Sequence, residues 1–147
     1  MDYHLYGFLI ENEFHIDIKN KCIYRIMAGG KDSNITFSVL YLNDTMMRFF
    51  LYLLIHARNN FVARDEVLKS VWDENNLSSS NTRLWQVLTN MRKKFKHLNM
   101  PEDLIQHVKK KGYIIRCKNI VPLYYKKDES HDFINISDSK KITHTYT

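Results

Sequence analysis

The hydrophobic period of this chain changes twice along its length, and that change limits the available folds more than any single residue does. Up to residue 42 apolar and polar residues alternate, the spacing of half-buried strands. From Met46 onward apolar residues recur at intervals of three and four, the spacing of an amphipathic helix, and after Pro101 the strand pattern returns. The first stretch predicts a small antiparallel sheet over residues 3–42. Phe8 to Ile10 and Phe14 to Ile18 are two strands joined by Glu11-Asn12-Glu13. Cys22 to Met27 is a third, and after a loop at Ala28-Gly29-Gly30-Lys31-Asp32 the run Ile35 to Leu42 is a fourth.

Three helices are expected next. Asn43-Asp44-Thr45 supplies an N-cap, and Met46, Phe49, Phe50, Leu53, Leu54 and Ala57 make a helix apolar on much of its surface, hence a buried central one. After the short apolar link Phe61-Val62, a second helix opens at Arg64-Asp65-Glu66 and packs through Val67, Leu68, Val71 and Trp72. Asp73 to Asn76 is a polar loop. Ser78-Ser79-Ser80-Asn81 then caps a third helix running to about His97, with Leu84, Leu88, Met91 and Phe95 as its buried stripe. Beyond Pro101, Leu104 to Val108 and Tyr113 to Cys117 form a hairpin whose turn, Lys109-Lys110-Lys111-Gly112, is cationic. The domain is expected to span 1–123. Residues 124–147, polar apart from Phe133 to Ile136, are expected to be a flexible tail or linker.

Composition excludes several classes. The longest apolar run, Phe49 to Ile55, is far short of the ~20 residues of a membrane span. Asp2 and His4 stand where a signal peptide would turn apolar. Cys22 and Cys117 are too few for a disulfide framework or a zinc site and read as reduced thiols. No metal or cofactor is expected. Catalysis is not expected either: the chain has no His-Glu-x-x-His, no glycine-rich phosphate loop and no Gly-x-Ser-x-Gly.

Charge is concentrated. Residues 79–118 hold ten Lys/Arg against two acids, a net +8, while the rest of the chain, with twelve bases and fourteen acids, is −2. Such asymmetry points to a polyanion. The third helix has no acid at all, and its positions off the stripe are Arg83, Gln86, Thr89, Asn90 and Lys93, with Lys94 and Lys96 near its end. Gln and Asn suit adenine, Arg and Lys suit guanine, and Thr suits a thymine methyl. Ser79, Ser80 and Thr82 at the helix start are candidates for phosphate contact beside their capping role. Trp85 borders the stripe; partial burial is expected, with DNA contact as the other reading. Lys109, Lys110 and Lys111 suit a phosphate or the minor groove.

Three helices followed by a hairpin with a basic tip are the layout of a winged helix-turn-helix. From Leu42 to Ile115 the chain resembles the OmpR/PhoB-type domain, in particular its ToxR/CadC-like branch. The resemblance is carried by Asn43-Asp44-Thr45, Phe61-Val62-Ala63-Arg64-Asp65-Glu66-Val67-Leu68 with Val71-Trp72, Asn81-Thr82, Leu88-Thr89-Asn90-Met91-Arg92-Lys93-Lys94-Phe95, Ile105 to Val108, and Lys111-Gly112-Tyr113. It implies an α+β fold with an N-terminal four-stranded antiparallel sheet, three helices and a C-terminal β-hairpin wing. It also implies sequence-specific binding of double-stranded DNA, with the helix over 79–97 in the major groove and the wing over 104–117 beside it. Two departures stand out. Ala63 replaces a usual serine, removing an N-cap worth about 1 kcal/mol, and His107 replaces a usual threonine. There is no room for a receiver domain, so control by phosphorylation is not expected. The polar tail suits the juxtamembrane linker with which members of that branch continue into the membrane. A cytoplasmic regulator is therefore expected, with RNA polymerase and a second copy of the chain as further partners on DNA. The competing class is a winged helix that docks other proteins without reading DNA.

Overall fold

In the computed structural model, residues 2–29, 34–72 and 81–127 are described. Strands β1 (Tyr3–Ile10), β2 (Phe14–Asp17), β3 (Cys22–Gly29) and β4 (Asn34–Tyr41) are followed by helices α1 (Asp44–His56), α2 (Arg64–Val71) and α3 (Asn81–His97). A short 3-10 turn (Glu102–Leu104), β5 (Ile105–Val108), β6 (Gly112–Ile115) and β7 (Ile120–Lys126) complete the order. The α+β winged-helix architecture expected from the sequence is present.

The sheet differs from expectation by one strand. Its order is β4-β3-β2-β1-β7, all antiparallel, so the chain returns after the wing to pair with its own N-terminus. Tyr124, Tyr125 and Lys126, expected from sequence in the polar tail, therefore pair in the sheet. The physical reason is local. Ile120 packs on the core, and the strand is anchored where Glu11 N–H donates to Asn119 O (2.8 Å) and Asn119 N–H donates to the Glu11 carboxylate (3.2 Å). The tail's remaining residues, 128–147, including Phe133 to Ile136, lie outside the described residues.

One face of the sheet carries Phe8, Ile10, Phe14, Ile16, Ile23 and Leu40 into the core, at the period-two spacing the sequence shows. Arg25 fastens this face to the end of α3, where its guanidinium donates to Leu98 O (3.0 Å), pairs with Glu13 and lies over the Phe14 ring. α1 begins as expected, with the Asn43 side chain accepting from Met46 N–H (2.8 Å). α3 ends in a Schellman turn: Asn99 adopts φ 60°, its N–H donates to Lys96 O, and Met100 N–H donates to Phe95 O.

Both cysteines are free thiols. Cys117 donates to Glu11 Oε1 (2.9 Å), and burial together with that carboxylate pushes its pKa up to about 11. Only the thiolate is nucleophilic. At pH 8 the folded protein should therefore alkylate at Cys117 about a hundredfold more slowly than the urea-unfolded chain, read by iodoacetamide labelling and peptide mass spectrometry. Equal rates would mean that the Glu11 contact does not form.

α2 starts without a side-chain cap, since Ala63 makes no such bond. Ala63→Ser should raise unfolding free energy by about 0.5–1 kcal/mol, and Asn43→Ala should lower it by about 1 kcal/mol, in urea titrations of both variants.

Candidate nucleic-acid interface

α3 divides into two faces. Leu84, Leu88, Met91 and Phe95, spaced by four, three and four, are all buried. Around the helix from them, Thr82, Arg83, Gln86, Asn90 and Lys93 are exposed and Thr89 is half-buried. No acid lies in its first turn. Gln86, Asn90 and Lys93 spend none of their side-chain hydrogen-bonding groups on neighbours among the described residues. Ser79 and Ser80 lie outside those residues.

Trp85 is 63% exposed, so its ring is covered only in part. Leu84 takes the core position, and one further residue carries Trp85 about 100° round the helix, out of the stripe. The open surface of α3 therefore includes a broad apolar ring beside the amides.

Not every base on α3 is available to a ligand. Arg92 donates to Ile105 O (2.6 Å) and fixes α3 to the first wing strand. Lys94 donates to Tyr41 O (3.0 Å) at the end of β4, and Lys96 pairs with Glu102 (2.8 Å). These three serve architecture, and Lys93 remains directed outward.

The wing is β5 and β6, joined by a turn in which Lys111 N–H donates to Val108 O (3.0 Å). Lys110 adopts φ 70° and Gly112 φ 110°. Gly112 is required twice over: an L side chain strains at that φ, and a Cβ would overlap the Val62 carbonyl. The close approach has a purpose. Val62 and Tyr113 exchange two main-chain hydrogen bonds (2.9 Å each), and Ile115 N–H donates to Ala57 O (3.0 Å), so the wing extends a strip of the α1–α2 connection.

Lys109, Lys110 and Lys111 are exposed at the tip. Together with Arg64, His107 and Gly112 they line a cleft of about 340 Å³ that also reaches Ala63 and Asp65 at the start of α2. Phe61 and Arg64 are functional candidates that the sequence reading missed. The Phe61 ring lies under both Lys111 Nζ (5.6 Å) and Arg116 Cζ (6.0 Å), and it braces the wing's cations. Its place between two helices made it read as a linker residue. Only the fold brings it beneath residues some fifty positions away.

A helix with one buried stripe and one open face of amides and bases, beside a hairpin with a lysine tip, defines a winged-helix nucleic-acid-binding domain. Residues 44–115 match the family model described as "Transcriptional regulatory protein, C terminal". That segment, 72 of the chain's 147 residues, is an OmpR/PhoB-type DNA-binding domain, and the match supports a DNA-binding transcriptional regulator. The fold is similar to the DNA-binding domain of Escherichia coli CadC, with a TM-score of 0.62 at 18% identity over 83% of this chain and 100% of that one. It is also similar to the DNA-binding domain of the response regulator AdeR, solved in complex with an intercistronic region. There the TM-score is 0.54 at 14% identity over 73% of this chain and 97% of that one. No curated protein matches the sequence.

If Phe61 braces the wing, Phe61→Ala should lower unfolding free energy by about 1 kcal/mol. It should also speed amide hydrogen exchange at Lys109 to Lys111 while leaving α3 protected. Unchanged exchange in the turn would leave the Val62–Tyr113 bonds as the whole of the wing's anchorage.

Proposed function

We propose that the chain binds double-stranded DNA sequence-specifically, with α3 in the major groove and the wing on the adjacent groove or backbone. The observation that carries this reading is the acid-free open face of α3, where Gln86, Asn90 and Lys93 have no side-chain partner among the described residues. Gln86 and Asn90 read base edges, Arg83 and Lys93 contribute guanine or phosphate contact, and Thr82, Thr89 and Trp85 meet sugars or thymine methyls. Ser79 and Ser80 belong to the same phosphate-contacting segment. Lys109, Lys110 and Lys111 hold phosphates or enter the minor groove. The likeness to a domain solved on an intercistronic region supports duplex DNA as the ligand.

The reading extends to a cytoplasmic regulator without catalytic activity, acting on DNA with RNA polymerase and with a second copy of itself. Among the described residues no helix is long and apolar enough to cross a membrane. The competing reading, a winged helix that only docks proteins, gains no support: it calls for acids or a wide apolar patch on α3, and apart from Trp85 the open face carries amides, hydroxyls and bases.

The test is fluorescence anisotropy with a labelled duplex obtained by selection from a random pool, across a salt series and against a scrambled competitor. Wild type should show a log–log salt slope of about −4 to −7, the value for roughly five to eight neutralised phosphates. Gln86→Ala/Asn90→Ala should keep that slope and lose at least about tenfold of its preference for the selected site, because amides read bases while lysines hold phosphates. Lys109→Ala/Lys110→Ala/Lys111→Ala should flatten the slope and weaken all duplexes alike. Failure of wild type to enrich any duplex would overturn the reading.

A further inference from the structure

Among the described residues the sheet has two edge strands, β4 and β7, and only one of them is protected. On β7, Glu11 N–H donates to Asn119 O, which by antiparallel alternation turns Val121 toward β1 and Pro122 toward the open edge. A proline there withdraws a donor from the edge and Lys126 adds charge, two devices by which sheets refuse further strands. β4 has neither. Its eight residues, Asn-Ile-Thr-Phe-Ser-Val-Leu-Tyr, include no Asp, Glu, Lys, Arg or Pro. Its register with β3 is unbroken, so no bulge turns the edge aside.

Leu42 N–H donates to Lys21 O (2.8 Å) just past the Cys22–Tyr41 pair. By the same alternation Thr36, Ser38 and Leu40 turn their main-chain groups toward β3, while Ile35, Phe37, Val39 and Tyr41 turn theirs toward the open edge. The Tyr41 carbonyl is taken by Lys94, which leaves the stretch from Ile35 to Val39. The side chains of these outward-facing residues also stand on the sheet face turned away from the helices. Ile35 is 73% exposed, Phe37 58%, Val39 37% and Tyr41 66%, with Ile26 of β3 beside Phe37 at 56%.

We infer that β4 is a self-association edge: two copies of the chain pair β4 with β4, antiparallel, about a two-fold axis at Phe37. Phe37 then faces the same residue of the second copy, and Ile35 faces its Val39. A second copy is the occupant that fits. An uncharged strand meets its own image without like-charge repulsion, whereas an acidic or basic segment finds no counter-charge. Two-fold pairing uses up the open edge of each copy and leaves only the edges carrying Pro122 and Lys126 outside, so the assembly closes at two instead of growing. Edge pairing covers the main-chain strip and only the facing flanks of these side chains, while the sheet face stays open, so the buried area lies below the ~600 Å² per partner at the lower limit of a specific interface. The pairing is therefore a weak one, populated at high concentration or when two copies are held together.

Sedimentation equilibrium of the full chain without DNA tests this, with wild type, Phe37→Lys and Thr36→Lys over rising concentration. Wild type should follow a monomer–dimer equilibrium. Phe37→Lys, which sets two ammonium groups opposite each other at the axis, should raise the dissociation constant about tenfold or more. Thr36→Lys, whose main-chain groups turn to β3 and whose side chain stands on the other face, should stay within about twofold of wild type. Circular dichroism and melting curves check that each variant folds. If Phe37→Lys does not fold, Val39→Pro, which removes an outward N–H without touching a bond to β3, takes its place under the same criterion. A wild-type monomer at every concentration, or a dimer that neither Phe37→Lys nor Val39→Pro weakens, overturns the inference. Because no DNA is present, the outcome is independent of whether the DNA-binding reading holds.

Discussion

Two adjacent phenylalanines on α1 hold the parts of this molecule in their relative positions. Phe49 and Phe50 are both fully buried, and neighbouring residues of a helix point about 100° apart, so they engage different elements. Phe49 meets Tyr113 of the wing edge to face, with ring centroids 5.7 Å apart. Phe50 meets Phe95 of α3 at 5.4 Å. The wing and α3 are thus fixed to a common rod rather than chiefly to each other. A DNA-reading domain needs that arrangement, because the distance between helix and wing must match the distance between a groove and its flanking backbone. Arg92, bonded to Ile105 O, is the direct tie between the two, and it draws on a residue that charge counting would assign to DNA.

That point generalises to the basic window. A net +8 over residues 79–118 overstates what a polyanion meets. Arg92, Lys94 and Lys96 are each turned to a protein oxygen, while Lys93 and the wing lysines are not held in this way. What remains lies on the open face of α3 and at the wing cleft.

Much of the fold was legible because binary pattern and secondary-structure period agree along most of the chain. The stripe Leu84, Leu88, Met91 and Phe95 is buried as its spacing requires, Asn43 caps α1, and Gly112 stands where the turn needs a positive φ. The features that escaped are tertiary. β7 mixes Pro122, Tyr124 and Lys126 among its apolar residues, so it lacks the alternation of a half-buried strand, and only β1 supplies the ladder that orders it. Trp85 borders the buried stripe, and how far it is covered follows from its helical angle, which leaves it mostly open. Phe61 could not be assigned from sequence because its partners, Lys111 and Arg116, reach it only after the wing has docked.

The start of α2 shows how stability and the proposed function are balanced. α1 has a side-chain cap and α2 has none, although a serine at position 63 would supply one at a gain of about 1 kcal/mol. An uncapped helix start leaves main-chain N–H groups unpaired at the positive end of the helix dipole, where an anion is favoured. Here that end opens on the cleft lined by Arg64 and the three wing lysines, with Asp65 the one acid among its lining residues. A hydroxyl at residue 63 would satisfy one of those N–H groups internally and withdraw it from any phosphate. The same exchange recurs at Lys109 to Lys111, where three like charges side by side disfavour the isolated wing and become favourable only against a polyanion.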